Sequence, residues 1–486
     1  MAAGSPWERL KELRRGRIVY RAAMRAAPPD LPGSHLTDSP LDRALALLLA
    51  HELESALRWS AAVVERDGSI PTALILTCRL LSALGRTEAA VSGFSLAVKR
   101  SIDAGALPLA VAAAADLRAL GAPVDAHLDA IADAFSLGSS RLDESSAPPP
   151  PLPNTDGFQP LSSFLAGPAL LSKATQIIHA ASRAYDEAED TEVPLIAPVP
   201  LFSALERDGL RALIDAFQMI TVPAGHPVVS EGQEGAEAYI VARGELEVLR
   251  ERGPDAVDAP PDSRGEPKKP VVLARLTNGA LFGEMALLSR APRAASVVAC
   301  RPSILLVATR DALEAVAEKR PEVGVELAAH CRRRMVANLV RMSPVLVAVE
   351  PQERQALVDR FETRVFERSE KLITENEEPS GLHLVASGEV AVIGHEAGEP
   401  IVLATLGVGE TVGEVALVLR RKANADVVAV HPTVTLFLPQ EDFMALVKDH
   451  PAILHRLYVL AVQRDDETQG VLGSSLTSVP DDYMLL

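Results

Sequence analysis

Phe282-Gly-Glu-Met-Ala-Leu-Leu-Ser-Arg-Ala-Pro-Arg-Ala-Ala-Ser-Val297 is the stretch of this 486-residue chain whose residue types and spacing add up to chemistry. Gly283 and Glu284 stand where a strand gives way to a short helix, read as Glu284 to Leu288. Unpaired N–H groups at such a helix start, with the helix dipole, favour an anion. Glycine lets a ligand come close to the backbone. Glu284 adds an acceptor, so the anion should also carry a hydroxyl. Further along, Pro292 ends the loop and fixes the approach of Arg293. The planar, permanently charged fork of Arg293 suits phosphate oxygens. Ala294 and Ala295 are small, so their backbone can press against the ligand. The set asks for one phosphate, one sugar hydroxyl and a compact ligand.

The elements that must hold this loop read as strands. From about Pro198, short Val/Ile/Leu runs are punctuated by Gly, Pro and charged turns, and the pattern occurs twice. Tyr239-Ile-Val-Ala-Arg-Gly-Glu-Leu-Glu-Val248 matches His383-Leu-Val-Ala-Ser-Gly-Glu-Val-Ala-Val392 at an offset of 144, as Pro200-Leu-Phe202 matches Pro344-Val-Leu346. Gly283-Glu284 matches Gly413-Glu414 at an offset of 130, so the first copy is the longer by the difference, 14. The extra length falls in the polar stretch Gly253 to Pro270, whose composition belongs on a surface hairpin.

The Phe282–Val297 segment resembles the phosphate-binding cassette of the cyclic-nucleotide-binding domain, shared by protein kinase A regulatory subunits, catabolite-activator-type regulators and cyclic-nucleotide-gated channels. Pro200-Leu-Phe202, the turn at Gly232 to Gly235, and Gly244 extend the resemblance. It implies a β-jelly roll flanked by helices, Glu284 on a ribose 2′-hydroxyl, Arg293 on the cyclic phosphate, and assisting N–H groups around Gly283, Ala286 and Ala294. The ligand-binding set is then Phe282, Gly283, Glu284, Met285, Ala286, Arg293, Ala294, Ala295 and Ser296. In that family, members preferring cGMP often carry Thr directly after the Arg; Ala294 stands there and leans the reading towards cAMP.

The second copy, Val412-Gly-Glu-Val-Ala-Leu-Val-Leu-Arg-Arg-Lys-Ala-Asn-Ala-Asp-Val427, keeps Gly413, Glu414 and Ala416 as a weak second site. In the same register Ala423 takes the Arg position, Lys422 the Pro position and Asp426 the place of Ser296. The phosphate loses its fork and a carboxylate arrives nearby, so this copy is expected to bind cyclic nucleotide weakly or not at all. Arg421 and Lys422 are the cations left to reach in.

Residues 42–136 read as helices, with Leu, Ala and Val at three- and four-residue steps. Ala56 and Ala90, at an offset of 34, suggest tetratricopeptide-like pairing, with Gly85 in a turn. Pro148-Pro-Pro-Pro-Leu-Pro153 and its polar flanks read as an extended linker. The division expected is a helical domain 1–137, a Pro-rich linker 138–163, a helical connector 164–196, nucleotide-binding domains 197–341 and 342–465, and a polar tail 466–486. The fold class is multidomain α and β. Single helices are expected around Asp311 to Arg341 and Glu441 to Gln463. The run Arg332-Arg-Arg334 reads as a solvated helix face, or alternatively as a salt-bridge surface between domains.

A net charge of −17 argues against a nucleic-acid polymer as partner. Cys78, Cys300 and Cys331 have no metal or redox spacing, and the His residues no metal spacing. No apolar run approaches a membrane span and no secretory leader is visible, so a cytoplasmic protein is expected. No catalytic domain is visible and the tail is too short for a helix-turn-helix. The reading is a non-enzymatic cAMP (or cGMP) receptor with no metal, in which the helix after the first β-domain couples ligand binding to reorientation of the two β-domains and to partner binding, with an unknown protein partner held by the helical half. The alternative is a ligand-independent scaffold. A kinase regulatory subunit would want an Arg-Arg-x-Ser/Ala element, and 138–199 offers none.

Overall fold

The computed structural model describes residues 39–147, 159–188, 193–250, 270–288, 292–343, 360–396 and 399–474. The Pro148–Pro153 linker, the expected surface insertion after Gly253 and the repeat-opening Pro344–Leu346 lie outside them.

The N-terminal half is a run of six helices, α1 (Pro40–Leu49), α2 (Leu53–Arg66), α3 (Pro71–Ala83), α4 (Thr87–Asp103), α5 (Leu107–Ala119) and α6 (Asp125–Phe135), each packed on the next. Gly85, at φ +81°, closes a turn that a side chain would strain. Ala56 and Ala90 are fully buried. The offset of 34 recurs between the starts of α2 and α4, whereas between α3 and α5 it is 36. At Gly93 a Cβ would lie 2.3 Å from Cys78 Sγ and 2.9 Å from Ile178, so α4 can approach α3 and α7 (Gly167–Glu187) this closely only through glycine.

Helix α8 (Arg207–Asp215) leads into the first of two jelly rolls. That roll pairs β1 (Gln218–Val222), β8 (Ser303–Thr309), β3 (Glu237–Arg243) and β6 (Leu281–Phe282) in one sheet. Its other sheet holds β2 (Pro227–Val229), β7 (Ser296–Ala299), β4 (Leu246–Arg250) and β5 (Val271–Leu276). The second repeats the order with β9 (Glu362–Phe366), β16 (Thr433–Pro439), β11 (Gly381–Ser387) and β14 (Thr411–Val412), then β10 (Lys371–Ile373), β15 (Asp426–Ala429), β12 (Val390–Glu396) and β13 (Glu399–Leu406). The starts of β1 to β4 recur at the offset of 144 and those of β6 to β8 at the offset of 130, so the length difference sits between the fourth and sixth strands. A short helix follows the sixth strand of each roll, α9 (Met285–Leu288) in the first and α12 (Glu414–Leu419) in the second.

β3 is apolar nearly throughout because it is covered on both faces. Tyr239 and Val241 point into the jelly roll with Leu305 and Val307. Ala238, Ile240 and Ala242, with Ile304, Leu306 and Ala308 of β8, belong to the same continuous core as the helical half. Helix α5 lies across β1, β3 and β8. One buried charge cluster spans the joint. Asp42, in the first turn of α1, accepts from Arg243 at the end of β3 and pairs with Arg301 at 2.6 Å. The sheet of the second jelly roll is covered differently, by Met335, Val336 and Leu339 of the helix leaving the first, and by Phe443, Leu446, Ile453 and Leu457.

Prolines correct the helix expectations. The stretch read as one helix over Asp311–Arg341 is two, α10 (Arg310–Lys319) and α11 (Pro321–Met342), and that over Glu441–Gln463 is α13 (Gln440–Asp449) and α14 (Pro451–Ser474). Pro321 and Pro451 sit at N1, where a proline starts a helix and disfavours helical backbone in the residue before it. α14 also carries the chain into the segment read as polar tail. The flanks of the Pro-rich stretch are docked rather than free: Leu142 bridges Ile196, and Leu161 N–H donates to Arg58 O at 3.1 Å.

At the position of Tyr239 the second copy carries His383, buried between Phe366 and Phe437, with Nδ1 3.0 Å from Thr435 Oγ1. Burial pulls its pKa down from 6.5 to about 4, helped by the nearby Arg364. Below pH 6.5 the unfolded chain takes up a proton that the folded chain refuses, so stability is complete above 6.5 and falls as pH drops towards 4. Urea midpoints of the wild type should fall across that window, and His383→Leu should lose this component of the slope.

Candidate functional site

The cassette joins β6 to β7. Gly283 adopts φ +76°, and a Cβ there would meet Arg293 Nη1 and Glu237 O, each at 2.9 Å. This is a glycine required by both conformation and space. Helix α9 begins just past the start that the sequence suggests, leaving Glu284 in the turn before it.

Arg293 is 9% exposed, and its guanidinium is held by three acceptors. Nη1 donates to Gly283 O at 2.9 Å, and Nη2 to Glu237 O at 2.8 Å and to Glu237 Oε2 at 3.2 Å. A Cβ on Gly235 would lie 2.5 Å from Nη2, so the second glycine of the Gly232–Gly235 turn makes room for the fork. The backbone fixes the loop from the other side: Gly232 N–H donates to Arg293 O (2.8 Å) and Arg293 N–H to Gln233 O (2.9 Å). Three of the five N–H groups of Arg293 are thus engaged and two remain.

Glu284, 4% exposed, pairs through Oε1 with Arg334 Nε of α11 at 3.0 Å. Cys331 of the same helix approaches Glu284 O at 3.9 Å, and burial pushes its thiol up to about 12, so it is an inert packing group. Two arginines of the basic run tie α11 down, Arg332 by donating to Phe361 O and Arg334 by returning to the cassette, while Arg333 pairs within α11 with Glu326 at 2.6 Å. Met285 packs against the core of the second jelly roll. Phe282 stacks on Tyr239 at 5.1 Å inside the first. Ser296 Oγ accepts from Glu231 N–H at 2.9 Å, which fixes the turn, and Ala294 is exposed.

The sequence profile of the family described as "Cyclic nucleotide-binding domain" matches residues 219–320 and 363–450. These spans are the two jelly rolls. The chain carries two cyclic nucleotide-binding domains. It is 31% identical over 253 residues to the cAMP-dependent protein kinase regulatory subunit of Yarrowia lipolytica, covering 51% of this chain and 60% of that protein. It is 30% identical over 265 residues to the subunit of the same name from Hypocrea atroviridis, covering 54% of each. The chain thus spans little more than half the length of these relatives. Its similarity to the solved regulatory domain of Toxoplasma gondii PKA with cAMP is 25% in sequence, over 54% of this chain and 92% of that one, with a TM-score of 0.26.

The second nucleotide-binding domain shows what the cassette becomes without its Arg. Asn376 N–H donates to Ala423 O (2.8 Å) and Ala423 N–H to Glu377 O (2.9 Å), the same pair of bonds that frames Arg293, so Ala423 does stand in the Arg position. The acceptor has gone as well: the counterpart of Glu237, at the offset of 144, is Gly381, where a Cβ would strike Leu438 O at 2.2 Å. Sequence reading missed this joint loss, although the offset exposes it. Asp426 does not face a phosphate site as a free charge. It pairs with Lys371 at 2.8 Å and accepts from Glu375 N–H at 2.9 Å, and although burial opposes this, those bonds hold its carboxyl below the ordinary range. Arg421 is taken by Asp465 of α14.

One feature repeats that the sequence reading did not single out. Arg464 of α14 is the counterpart of Arg334 at the same offset that relates the two cassettes, and its Nη1 donates to Glu414 Oε1 at 2.7 Å and to Thr411 O at 2.6 Å. In both domains an Arg of the trailing helix holds the cassette glutamate. Among the described residues no His/Cys/Asp/Glu group is placed to hold a metal ion, and no helix is long and apolar enough to cross a membrane.

Proposed function

We propose that this protein is a non-enzymatic cyclic nucleotide receptor whose first domain binds cAMP in preference to cGMP. The observation that carries the reading is the anchored Arg293 fork beside Gly283, with two donors left for phosphate oxygens and Glu284 close by as acceptor. Phosphate oxygens would sit against Arg293 and the N–H groups of the α9 turn, and a ribose hydroxyl would donate to Glu284. The names of its relatives support the ligand and point to a regulatory role beside a kinase catalytic partner. A soluble, cytoplasmic setting and a protein partner on the helical half belong to the same proposal.

Output follows from Glu284. Its carboxylate serves the ligand and also holds Arg334, and α11 continues into the core of the second domain. A ribose hydroxyl arriving at Glu284 shares that carboxylate with Arg334, which links the ligand to α11. Coupling of this kind is worth about 1–3 kcal/mol. Titration calorimetry of the full chain should give one equivalent of cAMP, bound more tightly than cGMP. No binding of either ends the proposal.

A further inference from the structure

We propose that the second domain binds an uncharged, hydroxyl-bearing heterocycle of nucleoside size and rejects cyclic nucleotides. This deepens the reading above, since it rests on phosphate recognition being confined to the first domain. A cavity of about 450 Å³ lies against the second cassette, within the size range of small-molecule sites. Leu372, Ile373, Val392 and Leu403 give it apolar walls suited to a flat ring. Glu414 lines it and is 1% exposed. Its Oε1 is held by Arg464, while Oε2 is buried with no hydrogen-bond partner. A buried carboxylate oxygen left unpaired is costly, and a ligand hydroxyl donating to it removes that cost.

Charge decides against a phosphate. Glu377, Glu378, Glu410 and Glu414 line the cavity, against one described cation, Arg464. Arg464 is already committed, Nη1 to Glu414 and Thr411 O, Nη2 to Glu410 at 3.2 Å. The Arg fork and its glutamate are replaced by Ala423 and Gly381. What remains is a hydroxyl acceptor, an apolar slot and a field that repels anions.

The test uses the full chain saturated with cAMP and then titrated with adenosine and guanosine. One further equivalent of at least one nucleoside is expected. 2′,3′-Dideoxy analogues and the Glu414→Gln variant should bind at least about tenfold more weakly, as should nucleoside 5′-monophosphates. A second equivalent of cAMP, or no nucleoside binding at millimolar concentration, overturns the proposal. So does a dideoxy analogue binding as well as its parent, a comparison that needs no variant and decides the matter if Glu414→Gln fails to fold. Failure of the first-domain reading is seen separately, as absence of the initial cAMP equivalent.

Discussion

Arg293→Ala is expected to weaken cAMP binding by at least about 30-fold, corresponding to roughly 2–5 kcal/mol for truncating one partner of a buried charge-assisted contact. The fork is already placed by Gly283 O and by Glu237, so binding need not organise it. Removing it takes away the phosphate donors and leaves the Glu237 carboxylate, 14% exposed, without its cation. The negative charge left behind then faces the incoming phosphate. Arg293→Lys should recover only part of the affinity, because an ammonium restores charge without the two-pronged geometry. Calorimetry gives the constants, and a thermal melt separates lost binding from lost folding. Binding unchanged in Arg293→Ala would remove the site from this cassette.

Asp42→Ala should destabilise the protein by about 3–5 kcal/mol, the usual range when one member of a buried ion pair is deleted. Arg243 is fully buried, and burial depresses its pKa against the support of Asp42. Its other contact is Nη1 to Pro302 O at 3.1 Å, and Nε has no partner. Without Asp42 the positive charge is stranded at the joint between α1 and the first jelly roll. Asp42 also stands in the first turn of its helix, where a carboxylate complements the dipole. Urea unfolding followed by Trp59 fluorescence in a Trp7→Phe background reports on this half of the molecule. A loss below about 1 kcal/mol would show that water or rearrangement compensates the arginine. The double change Asp42→Leu with Arg243→Met should be milder than Asp42→Ala alone, because it removes the fully buried arginine together with its carboxylate and leaves only the more exposed Arg301 of the cluster.

Much of the molecule is legible in its residues, and the exceptions share a cause. The cassette and the duplication are local patterns, and Gly283, Glu284 and Arg293 fall within one loop. The Ala423 register follows from spacing and reappears as backbone bonds. Contacts that depend on distant chain are not written locally. Arg334 looks like one of three solvated arginines until α11 folds back onto Glu284. Only comparison with Arg464, its counterpart in the second copy, marks it out. The helical half reads as a free-standing module because helices announce their own periodicity and not what covers them. A hint lies in α5, whose Leu107–Ala114 is apolar on nearly every side, as a helix covered from two directions must be. The helix breaks are equally open to reading: Pro321 and Pro451 outrank the apolar periodicity running through them.

The core shared by α5 with β3 and β8 also orders events during synthesis. The ribosome completes α5 at Ala119, yet the last strand that covers it ends at Thr309. At about 5–20 residues per second, the exposed apolar face waits roughly 10–40 s for its cover. The helical half is therefore made first and finished late. A nascent chain of this protein therefore exposes an apolar helical face until the first jelly roll closes over it.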